Sequence, residues 1–330
     1  MTEQMIPAPE QQIPASEQQI GHRERKRSSG WSGPVVAATV CAVTALAVSL
    51  AALWMAMPGE ESVPAPTPVG AEEIANPPVT EYLTYKSHQL PIFAGLAVNE
   101  RHKTDFSRDE RGWLRSEGAY IGVDVSSHQG EIDWEKVAAS GVEFAMIRAG
   151  YRGYGQEGKL LQDDNFETNI RGALNAGLDV GVYFFSQATN VWEVEEEAQQ
   201  LLRSLEGYPI TYPVVFDWER IHNSTARTDA VKGKTVTLMA QAFCGVMARA
   251  GYVPGIYFNQ DMGYLELDLD QLKDCVFWLA EYGDAPNFYY DFDIWQYTSK
   301  GDVPGIDAPV DMNLSFWTPA GAGGSSEKEG

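Results

Sequence analysis

Between Tyr120 and Trp317 the chain is punctuated by eight short apolar runs: IGVDVS from Ile121, FAMIRAGY from Phe144, DVGVYFFS from Asp179, YPVVFDWE from Tyr212, PGIYFN from Pro254, VFWLAEY from Val276, FDIWQYT from Phe292 and VDMNLSF from Val310. Runs of this length, rich in β-branched and aromatic residues, read as strands buried on both faces. The stretches that start near Asp133, Asp164, Val191, Thr228 and Leu267 carry apolar residues at helical spacing, and the second ends in Ala176-Gly177, a helix-stop signal. Strands that alternate with helices imply a parallel sheet. Eight of them in about 200 residues suggest closure into a barrel. The last three strands follow one another with too little chain for helices between them, so the expected α/β barrel is incomplete in its helical coat.

The chain ahead of the barrel has another character. From Pro34 to Met57 no residue is charged, a run of roughly 24 residues, long enough to cross a ~30 Å hydrocarbon layer at ~1.5 Å per residue. A cleaved signal peptide is the alternative, but its apolar core is usually about 7–15 residues long and precedes an A-x-A site. No convincing site of that kind is present. The length predicts a single transmembrane helix over 34–57. The cluster His22-Arg23-Glu24-Arg25-Lys26-Arg27 would hold the preceding side in the cytoplasm and leave the rest outside. The expected division is a disordered cytoplasmic tail over 1–33, the transmembrane helix over 34–57 and a Pro/Glu-rich linker over 58–80. A small preface over 81–118 follows, with a hairpin turning at Glu110 to Gly112, then the barrel over 119–318 and a flexible tail over 319–330.

With 24 Lys+Arg against 46 Asp+Glu the net charge is −22. No basic surface for tracking a nucleic-acid backbone is available, so nucleic acid is not an expected partner. Three cysteines, none in a C-x-x-C pair, exclude a disulfide framework and zinc-finger or thioredoxin-like readings. Cys41 falls within the apolar run, and Cys244 and Cys275 read as buried free thiols, with a disulfide left open by an oxidising or permissive compartment.

Barrel enzymes gather their chemistry at the C-terminal ends of the strands. Asp124 lies in the first strand, Asp217 and Glu219 end the fourth, and Asp311 lies in the last. Alternate residues of a strand share a face, so Asp217 and Glu219 point the same way, with Trp218 opposite. Two carboxyls that close perturb each other, and one can stay protonated near neutral pH as a general acid. An Asp-x-Glu at a strand end also serves as a helix cap or a surface pair. The buried VVF before it favours chemistry here. Tyr151, Tyr183, Tyr257, Trp278, Tyr282, Trp295 and Tyr297 recur at the other strand ends. Carboxylates ringed by aromatic faces suit a carbohydrate, although aromatic residues in strands are also ordinary core fillers. Gly150 to Gly155 lacks the spacing of a phosphate or dinucleotide loop and reads as a wide substrate-facing loop. Asp163-Asp164-Asn165 and Asp268/Asp270 do not fit calcium-loop spacing and read as helix starts. His128 could approach the rim near Asp124. No Ser-His-Asp arrangement is seen.

The runs GVDVSSHQGEIDW, FAMIRAGYRGYG, AGLDVGVYFFSQA, YPVVFDWE, FWLAEY, DIWQYTSKG and VPGIDAPVDMNLSF resemble glycoside hydrolase family 25, the Chalaropsis-type lysozymes, over about Tyr120 to Trp317. The resemblance implies an incomplete TIM-like (β/α)5(β)3 barrel that cleaves the β-1,4 bond between N-acetylmuramic acid and N-acetylglucosamine in peptidoglycan. It makes Glu219 the general acid, has Asp217 assist the substrate N-acetyl group, and completes the acidic cleft with Asp124 and Asp311. The aromatic residues Tyr151, Tyr183, Tyr257, Trp278, Tyr282 and Trp295 would bind the glycan. No metal or organic cofactor is required, and the implied location is the bacterial cell membrane with the catalytic domain outside. Many members carry Tyr-His-Phe where this chain has Tyr183-Phe184-Phe185, which removes a polar group near the cleft. A glucosaminidase, or a catalytically silent glycan-binding ectodomain, stays open as an alternative.

Overall fold

The structure, a computed structural model, describes residues 81–221 and 226–319. It opens with two antiparallel hairpins. β1 (Tyr82–Tyr85) pairs with β2 (His88–Pro91), and β3 (Phe106–Arg108) pairs with β4 (Leu114–Ser116). Asp109 closes the second turn, its carboxylate accepting the Arg111 and Trp113 amides at 2.9 and 3.0 Å and pairing with Arg115 at 2.7 Å. Gly112 there takes φ +82, a left-handed conformation that glycine adopts without a Cβ penalty.

The barrel follows as β5 (Tyr120–Val125), α1 (Trp134–Ala139), β6 (Phe144–Arg152), β7 (Leu160–Gln162), α2 (Phe166–Asn175), β8 (Asp179–Ser186), α3 (Val191–Leu205), β9 (Val214–Trp218), α4 (Gly233–Arg249), β10 (Pro254–Asn259), α5 (Gln260–Leu265), β11 (Val276–Ala280), β12 (Ile294–Gly301) and β13 (Val310–Ser315). Each of the eight apolar runs supplies one barrel strand. β5, β6, β8, β9, β10, β11 and β12 run parallel in that spatial order, and β13 closes the ring by pairing antiparallel with both β12 and β5. β7 adds an outlying antiparallel strand to the upper half of β6.

Side chains alternate between two cores. Outside the ring, Val194, Ala198, Leu201 and Leu205 of α3 and Phe166, Ile170 and Ala173 of α2 bury their apolar stripes against the sheet. Asn190 caps α3 by accepting the Glu193 amide at 3.2 Å. Inside, Phe144, Met146, Tyr212, Val215, Val276, Trp278 and Ile294 fill the lower barrel. Phe144 stacks on Tyr212 with ring centroids 4.4 Å apart, and Trp317 meets Tyr212 edge-on at 5.1 Å. Gly122 stands beside Phe144, whose ring occupies the space a Cβ would need. These contacts make a dry floor and leave the polar inward positions to the layer above.

The expected TIM-like (β/α)5(β)3 barrel behind a transmembrane helix is corrected. The ring is a strand-dominated eight-stranded β-barrel. A TIM barrel has eight parallel strands, each followed by a helix, whereas this ring closes through an antiparallel strand. Its coat is thin. Among the described residues only α2, α3 and α4 exceed six residues, and the helix expected near Leu267 is a four-residue 3-10 turn at Leu269–Leu272. Leu267, Leu269 and Leu272 are buried, so their helix-like spacing reflects packing beneath a short connection. No helix among the described residues is long and apolar enough to cross a membrane. The run over 34–57 lies outside the described residues, as do the tail over 1–33 and the linker over 58–80.

Candidate active site

Antiparallel pairing of β13 with β5 sets Asp311 directly opposite Asp124. Asp124 Oδ2 accepts hydrogen bonds from Gln296 Nε2 at 2.9 Å and Asn313 Nδ2 at 2.7 Å. Each amide is held in turn. Asn313 Oδ1 accepts Trp278 Nε1 at 2.8 Å, and Gln296 Oε1 accepts the Tyr257 and Tyr282 hydroxyls at 3.0 and 3.1 Å. Four strands thereby fix one carboxylate. Gln296 and Asn313 were missed in the sequence because a neutral amide in an apolar run carries little signal. Their inward phase, two residues from Ile294 and Asp311, could have exposed them.

Asp217 lies on β9 in register with Phe185 of β8 and Tyr257 of β10, and is buried. Its Oδ1 has no hydrogen-bond partner. Trp218 turns the other way and donates its indole N–H to the Ala188 carbonyl at 2.9 Å. Glu219, half-buried just beyond β9, is held by its backbone: its carbonyl accepts Gln187 Nε2 at 2.7 Å. Gln187 is fully buried, and its Oε1 accepts the Thr228 hydroxyl at 3.0 Å. Arg227 also bonds the Gln187 carbonyl at 2.9 Å and pairs with Glu193 at 2.5 Å. The chain after Glu219 is thus clamped onto the β8–α3 connection.

Arg148, on β6, pairs with Asp163 at 2.8 Å and lies 5.1 Å from the Tyr151 ring centre. Asp163 stands at the start of α2 as expected, accepting the Asn165 amide there, and it also accepts the Ser127 amide, each at 3.0 Å. Tyr183 and Tyr257 meet Trp278 edge-on at 5.9 and 5.0 Å inside the barrel, and Tyr282 stands 42% exposed at the rim. Trp295 is elsewhere. It is buried on the outer face, donates its indole N–H to the Glu281 carbonyl at 2.7 Å and packs edge-on against Phe106 at 5.0 Å. The structure sets it beside Tyr297, with ring centroids 5.7 Å apart, and not with Tyr183, Tyr257, Trp278 or Tyr282. The loop after β6 is pinned rather than open: buried Arg152 bonds the Gly158 carbonyl at 2.9 Å and Glu197 at 2.6 Å.

Burial and mutual repulsion hold protons on these acids. Burial, opposed by the Asn313 and Gln296 hydrogen bonds, pushes Asp124 up to about 6. Burial and then the Asp124 charge push Glu219 up to about 7. Burial followed by the charges of Asp124 and Glu219 pushes Asp311 up to about 9. Asp217 is driven well above the carboxylate range by burial, Glu219 and Asp124, with Arg148 opposing. Four acids so close cannot all ionise, so the site holds both a proton donor and a carboxylate near neutral pH. Among the described residues no group of His, Cys, Asp or Glu is placed to hold a metal ion.

Residues 123–306 match the family described as Glycosyl hydrolases family 25. The autolytic lysozyme of Clostridium acetobutylicum is 26% identical over 196 residues, 58% of this chain and 54% of that protein. Lysozyme M1 of Streptomyces globisporus is 28% identical over 208 residues, 58% of this chain and 66% of that protein. The chain therefore spans between half and two thirds of the length of these relatives. Among solved structures, the modular autolysin LytC of Streptococcus pneumoniae aligns with a TM-score of 0.53 at 25% identity, covering 71% of this chain and 58% of that one. The family match takes in more than half of the chain, from β5 to the loop before β13, and includes Asp124, Asp217 and Glu219. The chain belongs to glycosyl hydrolases family 25, and its barrel is a glycoside hydrolase domain.

Proposed function

We propose that this domain is a muramidase, which cleaves the β-1,4 bond between N-acetylmuramic acid and N-acetylglucosamine in peptidoglycan. The observation that carries the reading is the pair at the end of β9: Glu219, held near a pKa of about 7, and Asp217, whose buried Oδ1 has no partner within the protein. Glu219 donates its proton to the glycosidic oxygen as the C1–O bond breaks. The unpaired Asp217 oxygen accepts the substrate's acetamide N–H and so directs the acetamide oxygen onto C1. Water then opens the resulting oxazolinium ion while Glu219 takes back a proton, and configuration is retained. Asp124 supplies the remaining negative charge, and Asp311, which keeps its proton up to about pH 9, faces it across the β5–β13 pairing. Tyr183, Tyr257, Trp278 and Tyr282 offer stacking faces, with Tyr151 beside Arg148. Trp295 has no part in this. The likeness to LytC supports the substrate class, since that autolysin is also solved with a synthetic peptidoglycan ligand. A peptidoglycan substrate puts the domain outside the cytoplasm.

The test is digestion of purified peptidoglycan by the purified protein, borohydride reduction and mass spectrometry of the new ends. Reduced N-acetylmuramic acid from the parent and none from Glu219→Gln is the expected result. Reduced N-acetylglucosamine would make the domain a glucosaminidase. No product from several peptidoglycans would make it a silent glycan-binding domain.

A further inference from the structure

Cys244 and Cys275 approach each other from different elements. Cys244 is buried on α4, and its thiol lies 4.0 Å from the Gly255 carbonyl of β10. Cys275 directly precedes β11, whose first residue, Val276, pairs in register with that same Gly255. The nearby Cys275 thiol, and then burial, push the Cys244 thiol upward. Cys275 is half-buried and lines a cavity of about 190 Å³ together with Lys273, Asp291 and Asp293. Cys244 is therefore sheltered and Cys275 is the more accessible of the two, an arrangement suited to stepwise oxidation.

We propose that Cys244 and Cys275 form an intramolecular disulfide that staples α4 to β11. The Cys275 thiolate attacks a disulfide oxidant, such as an oxidised thiol–disulfide oxidoreductase or glutathione disulfide, and forms a mixed disulfide with release of one thiol. The Cys244 thiolate then attacks the Cys275 sulfur and expels the second thiol. Two thiols lose two electrons to the oxidant, which leaves as two thiols. An oxidising compartment favours this outcome, and for that compartment the inference rests on the proposed action on peptidoglycan. The bond would close a loop of about 30 residues and join the helix behind β10 to the strand that carries Trp278.

Disulfide mapping requires no activity, so its failure is distinguishable from failure of the muramidase reading. The purified full chain with Cys41→Ala, treated with glutathione disulfide at pH 8, is alkylated with and without prior reduction, digested and analysed by mass spectrometry. The expected species is a Cys244–Cys275 linked peptide pair, two hydrogens lighter than the two free peptides. Reductant should lower the melting temperature by about 10 °C, from the loop length and domain size. Reductant should have no such effect on Cys275→Ser. Full alkylation of both thiols without prior reduction would overturn the proposal, as would links only between separate chains. The oxidised and reduced parent suffice even if the variant does not fold.

Discussion

Replacing Gln187 with leucine tests whether the clamp behind Glu219 positions the acid. The side chain is fully buried and makes three hydrogen bonds, to the Ser186 and Glu219 carbonyls at 3.0 and 2.7 Å and from the Thr228 hydroxyl at 3.0 Å. Leucine fills similar space, so the cost comes from stranded partners rather than from a cavity. Each unmade bond costs about 1 kcal/mol, and up to about 3 where the abandoned group stays buried. Thr228 is fully buried and falls at the upper end. The sum is about 3–5 kcal/mol, a fall in melting temperature of roughly 10 °C for a domain of this size. Glu219 keeps its carboxyl but loses its backbone anchor, and a displacement of about 1 Å can cost 10²-fold in rate. The assay pairs thermal unfolding with kcat and KM for release of reducing ends from soluble glycan fragments. The expected result is a kcat loss of about 10²-fold with KM changed less than about threefold. Gln187→Glu keeps the acceptor for Thr228 but sets a carboxylate against the Glu219 carbonyl, so it should be no better. Gln271→Leu, at an exposed position, should shift the melting temperature by less than about 1 °C. If Gln187→Leu melts within about 2 °C of the parent and keeps kcat within about twofold, the clamp does not position Glu219.

With Glu219 as the proposed acid and its pKa pushed up to about 7, activity should fall as pH rises through that value, by about tenfold per unit beyond it. A pH–rate profile of kcat/KM checks this. Asp311 titrates higher in the folded chain, about 9 against an ordinary 3.8, so the folded state holds the extra proton. The stability this contributes is complete below pH ~4 and is lost as pH rises towards about 9. Asp311→Asn should then raise the melting temperature at pH 8 by about 5 °C or more and change it far less at pH 4, as calorimetry at the two values would show. Gly122→Ala would push a methyl group into the Phe144 ring, which is stacked on Tyr212 and has no room to retreat. A loss of about 2–3 kcal/mol by urea unfolding is expected.

The strands were legible because each is a compact apolar run, and a charge inside such a run stands out. Asp124, Asp217 and Asp311 were visible for that reason. Direction was not legible, because a strand's composition does not say which way it runs. The face-to-face pairing of Asp124 with Asp311 follows only from β13 running backwards. The thin coat was misread at Leu267, where buried leucines at helical spacing pack a 3-10 turn. Trp295 shows the limit of residue type as a signal. One position away, Gln296 faces inward and holds Asp124, while the indole is turned outward into the second core. Gln187 was invisible for another reason: its work is done on backbone atoms of a distant segment, which no local pattern encodes.

The reversed last strand also decides where the chain enters and leaves the ring. Tyr120 at the start of β5 pairs with Ser315 at the end of β13, down on the floor with Phe144, Tyr212 and Trp317. An eighth parallel strand would have delivered the chain to the rim, among the acids. Instead the polypeptide enters and leaves the ring on the same underside. The segment ahead of β5 nonetheless reaches the rim from outside the ring, where Lys86 pairs with Asp261 just past β10 and Arg108 pairs with Asp284 just past Tyr282, each at 2.6 Å.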